Sequence, residues 1–356
     1  KRSGKPVKWV CDRSEAFLSD YAGRDLVTRA TLAVDDNGKF LALRTENIAN
    51  LGTHTISYVP LARGPTVYNG VYDIPVGYAV SQGVLTNTTA TASYRGAGRP
   101  ESMFLIERLV DMAAQETGID RISLRRRNMI PEFAIPYTNA FDVTYDSGVF
   151  SVSMDRAMAL VDWDGFAARK RAAKKEGRLV GIGLANYIET ATGYPHERAE
   201  MEILPGGRVD LVLGTQSSGQ GHETTYAQVV SEWLGVPFDS VVLRTGNTDF
   251  VSAGSGSHSS RSMRLAGHLY RQTSNEIIAK GKEIAAFALE APVSDISFTN
   301  GRFQIEGTDR ALHLFDAAAA AVSGDLPDDL SGPLRSEIEI MDSLPAYPNG
   351  CHAVEV

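Results

Sequence analysis

Strand-like and helix-like patterns of apolar residues follow one another along the first part of the chain. Residues 28–35 and 39–50 are rich in apolar and β-branched side chains, and Asp36-Asn37-Gly38 between them is typical of a tight turn joining two strands. Further along, apolar residues recur every three or four positions, which predicts a helix that ends at Gly118. Asp120 is then expected to cap a shorter helix.

The second half of the chain repeats the order of strands before helices. One helix is predicted over residues 155–177, and its basic run is interpreted as a solvated face rather than a nucleic-acid contact. Helical stripes also predict a helix that Gly235 closes and a longer one over residues 261–289. The predicted strands of this half are residues 180–189, 199–204, 208–214, 296–299 and 302–306. Because strands and helices come in blocks, the sequence predicts an α+β fold with two layered domains of mixed β-sheet and helix.

A polar, turn-rich segment separates the two predicted domains. The length of 356 residues fits two domains of about 150 residues each. The first domain is predicted at residues 1–135, a linker at 136–153 and the second domain at 154–356. Strand-like residues 6–10 and 347–356 lie at the two ends without further flanking structure. The chain is therefore interpreted as an interior piece of a longer polypeptide.

Composition and charge exclude several classes of protein. The chain carries 35 Lys and Arg against 43 Asp and Glu, so its net charge of -8 lacks the basic footprint of a nucleic-acid binder. No apolar stretch approaches the ~20 residues that span a bilayer. Its only cysteines, Cys11 and Cys351, can build neither a disulfide scaffold nor a four-thiolate iron–sulfur or zinc site. A cytoplasmic setting is expected.

Three glycine-rich loops, each directly before a predicted helix, are the candidate binding sites. Residues 93–101 combine alternating glycines with two arginines, which suits either a ligand or a plain strand-to-helix turn. Residues 214–225 offer amides and hydroxyls typical of an anion site, or a glycine-rich turn. Residues 254–262 fit an anion cradle, a flexible linker or an N-cap. The sequence has no dinucleotide-binding glycine motif, zinc motif or serine-hydrolase elbow.

These loops, in this order, resemble the molybdenum-binding large subunit of the molybdenum hydroxylases, the family of xanthine dehydrogenase, aldehyde oxidase and carbon monoxide dehydrogenase. The resemblance covers essentially the whole chain, and its short motifs are specific as an ordered set. The motifs are Gly4-Lys5-Pro6-Val7-Lys8-Trp9, residues 94–99, Leu124-Arg125-Arg126-Arg127-Asn128-Met129-Ile130, Gly219-Gln220-Gly221-His222-Glu223-Thr224-Thr225, Ser259-Ser260-Arg261-Ser262 and Tyr347-Pro348-Asn349-Gly350.

The resemblance implies molybdopterin in its cytosine dinucleotide form, with molybdenum held by the pterin dithiolene and by no protein ligand. The residues that match the family's cofactor-binding motifs are Gln216, Gly219, Gln220, Gly221, His222, Glu223, Ser259, Ser260, Arg261 and Ser262. Those that match its substrate pocket are Arg63, Tyr94, Arg95, Gly96, Ala97, Gly98 and Arg99. Gly96 replaces the copper-binding cysteine of carbon monoxide dehydrogenase, and Ala97 replaces an aromatic residue of xanthine-type enzymes. The glycine argues against a copper centre, and the alanine argues against a stacked purine.

The function implied by the resemblance is hydroxylation of an aldehyde or an N-heterocyclic aromatic small molecule, with oxygen from water. Iron–sulfur clusters and FAD are expected on other domains or subunits, and the full enzyme is expected to contain a dimer of large subunits. The family's catalytic glutamate, a general base, is expected beyond Val356, so the 356 residues are expected to be inactive alone. The alternatives are a non-catalytic module for subunit interaction or assembly, and oxidation of carbon monoxide.

Overall fold

The computed structural model describes residues 2–341 and 344–356 and forms two compact units. The first unit contains residues 1–190 and 346–356, and the second contains residues 191–345. Both combine helices with sheets, and sheets of both units mix parallel and antiparallel strands. This mixed architecture agrees with the fold class predicted from the sequence. In the described part of the chain, no helix is long and apolar enough to cross a membrane.

The first unit is built from seven strands and six α-helices among its described residues. The strands are β1 (Leu26–Val34), β2 (Phe40–Gly52), β3 (Val76–Leu85), β4 (Tyr137–Thr138), β5 (Thr144–Tyr145), β6 (Ile182–Ile188) and β14 (Asn349–Glu355). The helices are α1 (Arg13–Ser19), α2 (Val59–Arg63), α3 (Arg99–Thr117), α4 (Arg121–Asn128), α5 (Phe150–Leu160) and α6 (Phe166–Lys175).

Helix α3 forms the core of the first unit against the sheet β1-β2-β3. In this sheet β1 is antiparallel to β2, and β2 is parallel to β3. Ile106 and Val110 lie one turn apart on α3, and both belong to the same buried cluster as Phe40 and Leu43 of β2. This apolar face fixes the position of α3, whose first residue follows the glycine-rich loop at residues 94–98.

A buried ion pair joins α3 to α4. The Arg125 guanidinium lies 2.8 Å from a carboxylate oxygen of Glu107 and 2.8 Å from one of Asp111. The Tyr72 hydroxyl donates a hydrogen bond to the other oxygen of Glu107. Burial raises the pKa of Glu107, but the Arg125 charge opposes this effect. The Arg125 guanidinium and the Tyr72 hydroxyl thus have carboxylate acceptors, and this pairing makes the buried charges compatible with the interior of the unit.

The second unit contains seven strands and three α-helices among its described residues. The strands are β7 (Glu197–Leu204), β8 (Arg208–Leu213), β9 (Val241–Arg244), β10 (Ile296–Thr299), β11 (Arg302–Ile305), β12 (Ala311–His313) and β13 (Leu334–Ile340). The helices are α7 (His222–Leu234), α8 (Arg261–Ala288) and α9 (Leu314–Ser323).

The second unit is organised around the four-stranded sheet β13-β7-β8-β9 and the long helix α8. Strand β7 is antiparallel to both β13 and β8, whereas β8 is parallel to β9. Met201 and Leu211 of the sheet share one buried cluster with Leu269 and Ile277 of α8. Two loops therefore emerge beside each other from this core, one after β8 and the other before α8.

The single helix predicted over residues 155–177 is wrong, because the structure has two helices there. Helix α5 ends at Leu160 and α6 begins at Phe166. Between them Asp162 has φ +48°, and its carboxylate accepts a hydrogen bond from the Gly165 amide. A left-handed residue whose side chain binds a nearby backbone amide ends a helix, although the apolar period continues across it.

The strand expected at residues 6–10 is also wrong. The first regular element in the described chain is α1, and residues 6–10 pair with no strand. Their large apolar side chains are mostly exposed, with Val7 at 78% and Trp9 at 67%. An apolar pattern alone does not make a strand, because its backbone groups need a neighbouring strand as a partner.

Candidate functional site

The glycine-rich loop before α3 makes a sharp turn in the first unit. Gly96, Ala97 and Gly98 all have positive φ, at +90°, +46° and +97°. The Ala97 amide donates to the Tyr94 carbonyl at 2.7 Å, which closes the turn. A Cβ atom on Gly98 would lie 2.3 Å from the carbonyl oxygen of Pro60, so only glycine fits there. The glycines thus serve a close approach between two backbone segments.

The arginines of this loop face different environments. Arg99 is only 5% exposed, and its Nη1 donates to the Gly96 and Ala97 carbonyls at 3.3 and 3.4 Å. Burial lowers the pKa of its guanidinium. Arg95 and Tyr94 are exposed, and the Arg24 guanidinium lies 5.1 Å from the Tyr94 ring centroid. Arg99 therefore holds the loop from inside, whereas Tyr94 and Arg95 form its outer surface.

Two residues outside the predicted substrate set also lie at this loop. A carboxylate oxygen of Glu189 is 3.4 Å from Arg99 Nε. Burial and the charge of Asp146 raise the pKa of Tyr347, and the nearby charges of Arg63 and Arg99 oppose this rise. Arg63 itself is exposed at the end of α2. Glu189 is a charged residue at the end of a predicted strand, and this position in the sequence could have marked it as a candidate site residue.

In the second unit, hydrogen bonds join the loop after β8 to the loop before α8. The Gln220 side-chain amide donates to the Ser257 hydroxyl. Ser257 and Ser262 share a hydrogen bond of 2.9 Å, and Ser262 and Thr215 share one of 2.6 Å. Gln220 also accepts a hydrogen bond from the Ser218 amide at 2.7 Å. Two of the three predicted loops are therefore in contact. Gln220 and Ser262 were predicted as cofactor-binding residues, and Ser257 and Thr215 are added to them by these hydrogen bonds.

The other predicted residues of the loop after β8 differ in exposure. His222 is buried at the start of α7, with Nδ1 3.3 Å from the Thr215 carbonyl oxygen and its ring 5.2 Å from that of Tyr226. Glu223 is exposed in the first turn of α7. Gln216 is also exposed, and its side chain lies against Gly246. His222 thus fixes the loop to the helix, whereas the glutamine and glutamate side chains reach the surface.

The turn before α8 leaves hydroxyl groups at the start of a 28-residue helix. Ser259 and Ser260 are consecutive left-handed residues, with φ of +51° and +58°. Ser260 is the N-cap position but makes no side-chain capping bond, and both serines are exposed. Unpaired amides at a helix N-terminus favour an anion. The backbone here is therefore suited to hold a phosphate group.

Arg261 directs its donors into the protein rather than toward the surface. It is completely buried, and its Nη1 lies 2.8 Å from a carboxylate oxygen of Glu197, which is also completely buried. The remaining donors reach the carbonyls of Tyr194, Gly256 and His196 at 2.7–2.9 Å. In this structure Arg261 holds the loop in place, and the neighbouring serines are the surface-facing groups.

The residues of the second unit fit molybdopterin. Gly219, Gly221 and Gly256 have positive φ, and a Cβ atom on any of them would meet no atom within 4 Å. Ligand atoms can therefore approach the backbone at all three positions. Hydroxyl and amide groups of the two loops and the amides of α8 supply hydrogen-bond donors. Within residues 2–341 and 344–356, no group of three or more His, Cys, Asp or Glu side chains could hold a metal ion.

Comparison with known proteins identifies the same family over both halves of the chain. Two models described as molybdopterin cofactor-binding domains match residues 1–129 and 156–356. The chain is 31% identical over 361 residues to the 6-hydroxypseudooxynicotine dehydrogenase complex subunit gamma of Paenarthrobacter nicotinovorans, covering 99% of this chain and 46% of that protein. It is 32% identical to the carbon monoxide dehydrogenase large chain of Afipia carboxidovorans, over 98% of this chain and 46% of the relative.

Solved structures show the same similarity in three dimensions. The Cu,Mo-containing carbon monoxide dehydrogenase matches with a TM-score of 0.90 and 31% identity, over 99% of this chain and 47% of that one. Quinoline 2-oxidoreductase from Pseudomonas putida matches with a TM-score of 0.91 and 29% identity over the same shares. The chain thus spans about half the length of these relatives. It belongs to the molybdopterin cofactor-binding family of molybdenum hydroxylase large subunits, which includes carbon monoxide dehydrogenase and xanthine dehydrogenase.

Proposed function

We propose that this chain is the molybdopterin-binding part of an oxidoreductase that hydroxylates an aldehyde or an N-heterocyclic aromatic compound with oxygen from water. The observation that carries the proposal is the hydrogen-bonded contact between the loops at residues 214–225 and 254–262, at the N-terminus of α8. Relatives named nicotine 6-hydroxylase, 30% identical, and quinoline 2-oxidoreductase support an N-heterocyclic substrate.

The residues of the second unit are proposed to hold the cofactor in its cytosine dinucleotide form. When bound, molybdopterin supplies a redox-active metal that accepts the electrons of the hydroxylation. The amides at the start of α8 and the hydroxyls of Ser259, Ser260 and Ser262 bind its phosphates, because that end of the helix carries a partial positive charge. Gln220 donates from its side-chain amide to the pterin side of the cofactor. Arg261 keeps these groups in position.

The loop at residues 94–99 is proposed to contact the substrate. Gly96 carries no thiol and so offers no copper ligand, which favours carbon hydroxylation over oxidation of carbon monoxide. Ala97 leaves room for a substrate that does not stack on an aromatic ring. Arg63, which matches the family's substrate pocket and is exposed at the end of α2, orients polar groups of the substrate.

Partner subunits are part of the same proposal. Two cysteines cannot ligate the iron–sulfur clusters that carry electrons away from molybdenum, so these clusters and FAD are placed on other domains or subunits. A relative named as the gamma subunit of a dehydrogenase complex supports this arrangement. The large subunit is proposed to form a dimer in the complete enzyme.

The test is metal analysis of the subunit, expressed from its complete reading frame with its partners and a working supply of cofactor. We expect about one molybdenum per subunit, and loss of most of it in Gln220→Ala and Ser262→Ala, since these remove the links to Ser257 and to Thr215 that join the two loops. Gln304→Ala, on β11, is the matched control and keeps its molybdenum. A wild-type subunit without molybdenum would refute the proposal and favour a non-catalytic assembly module.

A further inference from the structure

Glu189 lies at the loop of residues 94–99 with one carboxylate oxygen engaged and the other open. Its backbone amide donates to the Pro348 carbonyl at 2.8 Å, which anchors the residue where β6 and β14 pair. Its Oε1 accepts a hydrogen bond from the Thr190 amide at 2.7 Å and lies 3.4 Å from Arg99 Nε. No residue in 2–341 or 344–356 donates a hydrogen bond to Oε2. The side chain is held in place, and one acceptor oxygen remains available.

The open oxygen faces the loop at a position that has no side chain. A Cβ atom on Gly96 would lie 3.6 Å from Glu189 Oε2 and 2.5 Å from the ring of Pro100. The φ of +90° at Gly96 also disfavours any residue with a side chain. The space beside the carboxylate is therefore kept free of side-chain atoms by the backbone itself.

Glu189 also stands at the end of a groove of about 720 Å³ between α3 and the strands β6 and β14. Arg99 and Pro100 share that end of the groove. Its apolar walls are formed by Met103, Phe104, Leu184, Ile188 and Val354. Glu107, Arg108 and Asp111 also line the groove. Apolar walls with a small number of polar groups are the usual form of a small-molecule site.

One buried polar atom among the residues that line the groove lacks a hydrogen-bond partner within the described chain. Asn186 is 2% exposed, and its side-chain oxygen accepts no hydrogen bond. Arg99 is 5% exposed, and its Nε lies 3.4 Å from Glu189 Oε1, so this ion pair holds the carboxylate in place. Buried polar atoms are nearly always paired, so the unused oxygen of Asn186 is a second polar feature of this region besides Glu189.

We propose that Glu189 is a specificity-determining residue, whose Oε2 accepts a hydrogen bond from an N–H group of the substrate. Arg99 places positive charge beside it, so the substrate presents a carbonyl next to this N–H, as in a lactam or cyclic amide. Its apolar rings lie along the groove. This inference rests on the proposed function, and the substrates it assigns to the site are neutral ring compounds with a lactam edge.

Two isosteric probes test the inference by equilibrium binding to the complete subunit. Quinolin-2(1H)-one carries the N–H and the carbonyl, and coumarin has a ring oxygen in place of the N–H. We expect the wild-type protein to bind the quinolinone at least tenfold more tightly, because a site built to accept an N–H discriminates strongly against an analogue that lacks it. Glu189→Leu should bring the two dissociation constants together, and Glu189→Gln should retain part of the preference through its amide oxygen.

Glu46→Gln is the matched control, since Glu46 is an exposed carboxylate paired with an arginine and should leave the ratio unchanged. Equal binding of the two probes by the wild-type protein overturns the inference, and so does binding of neither, which would mean that the groove is covered in the complete subunit. Molybdenum content is measured on the same samples. Absence of the metal counts against the proposed function, whereas the probe ratio decides the role of Glu189 in either case.

Discussion

At the scale of single residues, the glycines of the loop before α3 show which positions depend on the tertiary structure. The sequence placed Gly98 in a glycine-rich loop and predicted the end of a helix at Gly118, and both residues have positive φ. Their surroundings differ, because a Cβ atom on Gly98 would meet the Pro60 carbonyl, whereas one on Gly118 would meet no atom within 4 Å. A glycine in the sequence signals conformation, but its contacts appear only in the folded chain.

This difference makes a direct prediction for Gly98→Ala. The substitution combines a left-handed backbone with a 2.3 Å clash, so we expect it to lower the free energy of unfolding by more than about 2 kcal/mol. Gly118→Ala carries the backbone strain alone and should cost only about 1 kcal/mol. Urea unfolding followed by circular dichroism measures both. Equal losses would show that the contact with Pro60 does not constrain residue 98.

A second prediction at this scale concerns the buried pair of Glu197 and Arg261. Glu197→Gln leaves the arginine charge uncompensated in the interior, which typically costs about 3–5 kcal/mol. Glu46→Gln breaks the exposed pair with Arg44 and should cost about 1 kcal/mol or less. The same unfolding measurement compares them. A loss below about 1 kcal/mol for Glu197→Gln would show that water reaches Arg261 and that it does not hold the loop as described.

At the scale of elements, periodicity and capping located several helices and strands to within a few residues, among them α3, α4, α7 and α8. The helix predicted to end at Gly118 is α3, and the one predicted over residues 261–289 is α8, which runs from Arg261 to Ala288. The interruption between α5 and α6 escaped this reasoning, since the apolar period continues through it. One left-handed aspartate ended the helix, and its conformation depends on hydrogen bonds that the pattern does not contain.

The N-cap of α4 carries a prediction with a defined pH dependence. The Asp120 carboxylate accepts hydrogen bonds from the amides of Ser123 and Ile122, and the bond from Ser123 is the largest cause that lowers its pKa below the ordinary 3.8. We expect Asp120→Ala to cost about 1 kcal/mol at neutral pH. A lowered pKa means that the stabilisation is present above pH 3.8 and disappears as the pH falls through the lower pKa of the folded state.

Thermal unfolding of the two proteins between pH 7 and pH 2 tests this cap. The difference in Tm should be constant near neutrality and should shrink at the acid end. Asp12→Ala is the control, because Asp12 caps α1 in the same way but α1 has no buried residues, so its loss should leave the global Tm unchanged. A difference in Tm for Asp120→Ala that grows toward acid pH would contradict the assignment.

At the scale of the whole molecule, long-range pairing decided how the chain divides. The linker predicted at residues 136–153 lies inside the first compact unit, where Tyr145 is completely buried and its hydroxyl donates to the Gly70 carbonyl. Strand β14 pairs with β6 and brings residues 346–356 into the same unit. A turn-rich composition resembles a linker, but residues far away along the chain can still bury it.

The sequence by itself determined the family, the mixed fold and the loops rich in glycine and serine, because turn residues, caps and apolar periods act over a few neighbouring positions. Only the tertiary structure decided that Arg261 pairs with Glu197 inside the second unit and that Glu189 stands beside Gly96 in the first. These contacts join residues that are 64 or more positions apart. Their formation depends on packed elements and on burial, which no local pattern records.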